Sequence, residues 1–204
     1  MAAPTLRPSG QVGRPGYDLD SLLAVAVTVF NQRGFDGTSM ENLAARLGIS
    51  KSSIYHHVRG KAELLQLAVD RALDALFAAA QQPDTTTGHA IDRLENLVRR
   101  SIHVLVDELP YVTLLLRVRG NTTVERRALT RRRDFDRIVG GLVAEACDDG
   151  SIRPDVDPEL TSRLIFGTVN SLTEWYRPTR GLSTDDLADA MVAMIFDGLR
   201  VTNS

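Results

Sequence analysis

Between residues 38 and 61 the chain carries Thr38, Lys51, Ser52, Ser53, Tyr55, His56, His57 and Lys61. Cations, hydroxyls, imidazoles and a phenol at this density donate hydrogen bonds, and they do not compose a catalytic set. Nor do they compose a metal site. His56 and His57 are adjacent, so on a helix they diverge by about 100°, and no Cys or carboxylate cluster completes a shell. The set suits a polyanion whose phosphates and base edges accept hydrogen bonds. Lys51 can donate to guanine O6 and N7, and the serines can donate or accept at several bases.

The stretch TSMENLAARLGISKSSIYHHVRGK must position these groups, and it reads as helix, tight turn, helix. Thr38 and Glu41 have the spacing of a capping box, Leu43, Ala44 and Leu47 form one apolar face, and Gly48 ends the helix. Ser50 then caps a second helix running to Val58, on which Ile54 and Val58 face the core. Ser52, Tyr55, His56 and Arg59 point outward, flanked by Lys51 and Ser53, on a face without a carboxylate. His57 leans toward the Ile54/Val58 side and reads equally as a packing residue or a phosphate contact. This spacing fits a helix-turn-helix whose second helix enters the major groove. An ordinary surface hairpin of two helices has the same spacing.

The longer segment TSMENLAARLGISKSSIYHHVRGKAEL resembles the DNA-binding signature of the TetR family of one-component bacterial repressors. The likeness lies in the Thr-Ser opening, LA..LGIS, K..IYHH and the following K.EL. It is close over this stretch and loose over the helical layout of the whole chain. It implies that Thr38, Tyr55 and Lys61 hold backbone phosphates, while Lys51, Ser52, Ser53 and His56 read bases. It also implies a homodimer joined through the last two long helices, and release from double-stranded operator DNA by a small molecule.

Composition agrees with a regulator. In 204 residues there is room for a small head and a larger body with a real core. Residues 1–61 carry 7 Lys/Arg against 4 Asp/Glu, and the remainder 17 against 22, so the head is net positive and the body net negative. The single Cys147 rules out an internal disulfide and fits a reducing compartment. No apolar run approaches the ~18–20 residues that span a bilayer, and the first residues lack the apolar core of a signal peptide. A cytoplasmic location is expected. An enzyme is not: there is no Gly-rich phosphate loop after a strand, no HExxH, and no Ser or Cys nucleophile with an evident base.

The rest of the chain is helical. Residues 1–16 are rich in Pro and Gly and read as a flexible arm, with Arg14 the better candidate for a phosphate or minor-groove contact. A scaffold helix from Asp18 to Arg33 carries a full amphipathic stripe. Lys61–Ala80 is a long helix starting where the reader ends, able to act as a lever between reader and body. Further helices are expected over His89–Asp107, Pro110–Arg119, Thr122–Asp149, Asp157–Tyr176 and Ser183–Val201, with 81–88 a loop. The last is apolar over so much of its circumference that a second copy is its expected cover. The expected fold class is therefore all-α: a flexible arm (1–16), a three-helix helix-turn-helix DNA-binding domain (17–62), and a helical ligand-binding and dimerisation domain (63–204).

The arginine-dense stretch 126–137 reads in two ways. It is a solvated face laced by i,i+4 pairs, or a clamp for an anionic ligand in which Arg133 and Arg137 are joined by Arg117 and Arg119. The WYRP...LS stretch resembles the C-terminal region of TetR-type regulators that answer to acyl-CoA compounds, and the first 80 residues resemble those answering to phenylacetyl-CoA. On that resemblance the inducer is an acyl-CoA thioester and no cofactor is needed; Asn170 and Trp175 are the candidates for the pocket lining, with Trp175 reading equally as core or dimer packing. The competing readings are a different hydrophobic or drug-like inducer, as in efflux control, and a helical scaffold that does not touch DNA. Salt-dependent retention on DNA separates the scaffold from the regulator.

Overall fold

A computed structural model describes residues 18–177 and 181–199 of the chain. The 1–16 arm, Arg14 included, and the last two residues expected in the final helix lie outside these residues; that helix is shorter than expected, since Asp197 caps it after Phe196 and 197–199 form a turn. Ten helices make up the fold among them: α1 (Leu19–Arg33), α2 (Met40–Leu47), α3 (Lys51–Tyr55), α4 (Lys61–Ala80), α5 (Pro83–Thr86), α6 (Ala90–Asp107), α7 (Leu109–Arg117), α8 (Thr123–Asp148), α9 (Pro158–Trp175) and α10 (Thr184–Phe196). The all-α expectation holds.

Helices α1 to α3 form a head on the start of α4. Leu22, Leu23, Ala26, Val27 and Phe30 of α1 are buried, as are Leu43, Ala44 and Leu47 of α2. Ile54 and Val58 close the head from the other side and are almost fully buried. The turn works because Gly48 takes the left-handed conformation, φ 67°, and its N–H reaches back to the carbonyls of Ala44 and Ala45.

Two expectations for the head are corrected. The capping box is real but lies one residue later, on Ser39 and Asn42. Ser39 Oγ accepts from Asn42 N at 3.2 Å, and Ser39 N donates to Asn42 Oδ1 at 3.0 Å. Thr38 still belongs to the preceding turn: its N–H donates to Phe35 O, and its hydroxyl donates to Gly34 O at 2.7 Å. The second helix is also shorter than expected. It stops at Tyr55, with His56 as its C-cap, and both His57 N and Val58 N turn back to Ile54 O.

In the body, α6 is the hub, packing against α4, α5, α7, α8, α9 and α10. Helix α4 bridges the halves, since it touches α1 as well as α6, α7 and α8. Arg131 of α8 fixes it there, donating to Asp70 at 2.7 Å and Asp74 at 2.5 Å. Helix α8 opens with a second capping box, Thr122 with Glu125. Asp157 caps α9 ahead of Pro158, as the sequence suggests. No helix among the described residues is long and apolar enough to cross a membrane.

Candidate nucleic-acid interface and ligand cavity

Helix α3 presents its groups on an open surface. Lys51, Ser52, Tyr55, His56 and His57 are exposed and Ser53 is half-buried. His57 is therefore not a packing residue: the helix ends before it, and the turn carries its ring outward. Ser50 Oγ accepts from Ser53 N at 3.1 Å and lies 2.8 Å from the hydroxyls of both Ser52 and Ser53. This three-hydroxyl cluster can exchange partners without strain, because each oxygen donates or accepts.

Two cations are already engaged. The ammonium of Lys51 pairs with Glu41 of α2, which also makes the outer face less acid-free than the sequence implies. The hydrogen bond from Lys51 pulls the Glu41 carboxyl down to about 2 and raises Lys51 in turn. Both side chains are well exposed, so the pair is weak and a phosphate can take Lys51 from it. Lys61 is committed inward. Its Nζ donates to Phe35 O at 2.9 Å and Thr38 O at 3.0 Å, and it sits 4.4 Å from the centre of the Phe35 ring. Thr38 is only 2% exposed. Thr38 and Lys61 thus tie the α1–α2 loop to the start of α4, and the outward donors are on α3.

In the body a narrow, partly open cavity lies between α4, α6, α7, α8 and α9. Its walls are apolar (Leu73, Leu105, Leu115, Phe135 and Phe166 among them), with Ser101, Arg132, Asp136 and Asn170 as the polar groups. The space left open is about 40 Å³, room for a few water-sized molecules. Ser101 is buried and donates to Leu97 O. Partial desolvation pushes the half-buried Arg132 guanidinium down, with Asp136 opposing, and pushes the carboxyl of the more exposed Asp136 up against the pull of Arg132 and then Arg163.

Only part of the expected ligand set meets there. Asn170 does, following Phe166 and Val169 on the inward face of α9. Trp175 does not: five residues beyond Asn170 it has turned away, and it is 51% exposed. Arg133 and Arg137 stand one residue out of phase with Arg132 and Asp136. They line an outer groove between α8 and α9, together with Asp136, Pro158, Glu159, Ser162 and Arg163. Arg117 and Arg119 are elsewhere again, in a cleft between head and body, where Arg117 donates to Asn31 O at 2.6 Å. Arg132 and Asp136 are the residues that sequence reasoning missed. Their spacing around Phe135 is the signal, since i, i+3 and i+4 share a face with it.

Apolar side chains remain uncovered on the last two helices. Leu164 and Met194 are each 63% exposed and Leu160 is 55% exposed, lining one groove between α9 and α10 with Ile165 and Ile195.

Comparison with known proteins places this geometry. Residues 22–68 match the family model for bacterial regulatory proteins of the tetR family, and residues 87–199 match the tetracyclin repressor-like C-terminal domain. A member of the TetR transcriptional regulator family from Streptomyces coelicolor A3 is 52% identical, with a TM-score of 0.83 over 95% of this chain and 94% of that one. The HTH-type transcriptional repressor KstR2 of Mycolicibacterium smegmatis is 28% identical over 193 residues, covering 91% of this chain and 92% of its own. AibR, solved with isovaleryl coenzyme A and operator DNA, shares the fold at 24% identity and a TM-score of 0.75, over 87% of this chain and 97% of its own.

Proposed function

The chain belongs to the TetR family of DNA-binding transcriptional regulators, and from that premise we propose a dimeric repressor, seated on an inverted-repeat operator and released by an acyl-CoA thioester. The observation that carries this is the placement of α4. One end is tied by Lys61 to the loop that starts the reader, and the other forms the cavity wall with Leu73 and Leu76. From Lys61 to Leu76 is roughly 22 Å of helix. A ligand that enlarges a cavity of this size displaces α4, and the reader moves with it.

The cavity suits an acyl chain, and the arginines of the outer groove suit the phosphates. Asp136 lines both spaces, so the acyl group lies inside, against Asn170 and Arg132, and the nucleotide end lies on Arg133, Arg137 and Arg163. Arg117 and Arg119 are no part of this clamp. On DNA, Lys51, Ser52, Ser53 and His56 read bases while Tyr55 and His57 reach phosphates. A second copy covers Leu160, Leu164 and Met194. The two-fold axis it generates sets two α3 helices on successive major-groove faces.

The test is fluorescence anisotropy on the DNA upstream of the protein's own gene, with phenylacetyl-CoA, a series of fatty acyl-CoAs and free CoA titrated into the complex. Release by one thioester and not by free CoA is the expected result. Tight, salt-sensitive binding that no thioester disturbs keeps the repressor and removes the ligand class.

A further inference from the structure

The cleft between head and body belongs neither to the reader nor to the cavity. It encloses about 320 Å³ and is lined by Asn31 and Arg33 of α1, Asp36 of the α1–α2 loop, Arg117 at the end of α7, Arg119 beyond it, and Glu125 of α8. That volume is at the lower end for small-molecule sites. Arg33 comes from the head, Arg117 and Arg119 from the body, so the cleft gathers exposed guanidiniums from both sides of the joint. Among the described residues no carboxylate pairs with any of the three. Glu125 is occupied otherwise, accepting from Asn121 N at 2.5 Å and Thr122 N at 3.2 Å. Asp36 is the one acid left to balance them.

Two details make the cleft a built feature. The loop carrying Arg119 is tied to the start of α8, where Arg126 donates to the carbonyls of Gly120 and Asn121 at 3.3 and 3.4 Å. Gly120 itself has φ 92°, and a Cβ there would meet Leu129 at 3.2 Å. Asn31 is fixed as well. Its Nδ2 donates to Pro110 O at 2.8 Å, so turning the amide over would set two oxygens face to face. Its Oδ1 is then left buried in the cleft wall with no donor. A buried acceptor without a partner is a standing cost, and a shift of the cleft wall that exposed it to an occupant with a hydrogen to give would remove that cost.

We propose that this head–body cleft is a second ligand site, which binds a small phosphate or phosphate monoester between Arg33 and Arg119. Such an anion carries oxygens for the guanidiniums and, when singly protonated, a hydroxyl that meets Asn31 Oδ1 once the wall covering that oxygen shifts. It bridges guanidiniums from the two sides of the joint and so holds the head at one angle to the body. Its occupancy couples to DNA affinity because the same joint carries α4. The site stands or falls apart from the acyl-CoA reading, since it shares no residue with the cavity or the outer groove.

The full-length protein is titrated with inorganic phosphate at constant ionic strength and followed by calorimetry and thermal melting, alongside Arg33→Gln, Arg119→Gln and the groove control Arg133→Gln. Saturable binding is expected in the parent chain and in Arg133→Gln. The dissociation constant should rise about tenfold or more in each cleft variant, as loss of a charge-assisted pair requires. A thermal gain that never saturates, or is equal in all four proteins, is the general stabilising action of phosphate on any fold and overturns the proposal. The same variants are assayed on operator DNA at several salt concentrations. A salt slope shallower by about one for Arg33→Gln or Arg119→Gln assigns that guanidinium to the DNA backbone, and also overturns it.

Discussion

Lys61 matches a position that the resemblance assigns to a DNA phosphate, yet its ammonium lies on two carbonyls and an aromatic ring of its own head. Replacing it with methionine keeps the stem and removes the charge. The variant loses two charge-assisted hydrogen bonds, typically about 1.5–3 kcal/mol each before water replaces part of them, and a cation–π contact of about 0.5–1 kcal/mol. Water can reach the half-buried carbonyls, so a net loss of about 2–4 kcal/mol is expected. For a chain of this size that lowers the melting temperature by roughly 5–12 °C. The reader loop becomes less well ordered before binding, so affinity should fall about tenfold on every DNA sequence while its salt dependence stays unchanged. Calorimetric melting and anisotropy at four salt concentrations measure both. An unchanged melting temperature with a salt slope shallower by about one would refute the reasoning and make Lys61 a phosphate contact.

Further perturbations probe the reader, the uncovered groove and the cavity. Glu41→Gln frees Lys51 and should tighten DNA binding about threefold at low salt, whereas Lys51→Ala should relax discrimination at one base position in a binding-site selection. The Glu41 carboxyl is held at about 2, below its unfolded value, so the pair's stabilisation is fully present above the ordinary carboxylate range and is lost as pH falls through that lower value. An NMR titration should show this midpoint returning to the usual range in Lys51→Ala. Leu164→Glu or Met194→Glu places charge on the uncovered apolar groove and should shift sedimentation from dimer to monomer, with loss of operator binding and a folded spectrum retained. Arg132→Ala should leave DNA affinity within about twofold while raising the thioester needed for release about tenfold or more; an unchanged dose–response removes Arg132 from the ligand site.

What was legible in the sequence follows from periodicity. Every long helix but the last falls within a residue or two of its expected limits, because apolar stripes and caps such as Asp18 and Asp157 are local signals; α10 starts where expected and stops at Phe196, five residues before the expected Val201. The capping box slipped by one because Thr38 and Ser39 are both capping residues, and only the Gly34 carbonyl above Thr38 decides between them. The arginine run was legible as arginines and not as roles. Arg131 turns to α4, Arg132 to the cavity and Arg133 to the outer groove, three directions set by 100° steps against neighbours that lie far off in sequence. Arg117 and Arg119 failed as clamp residues for the same reason. Nothing local states which cleft the end of α7 will face.

The near-filled cavity has a consequence in time. If the proposed thioester binds there, being much larger than the space available it must wait for the helices to part, so its observed association rate should level off at high concentration at the rate of opening. Departure waits on the same event. A sensor gated in this way integrates: brief pulses of metabolite pass unregistered, and a sustained supply is recorded and then held after the supply ends.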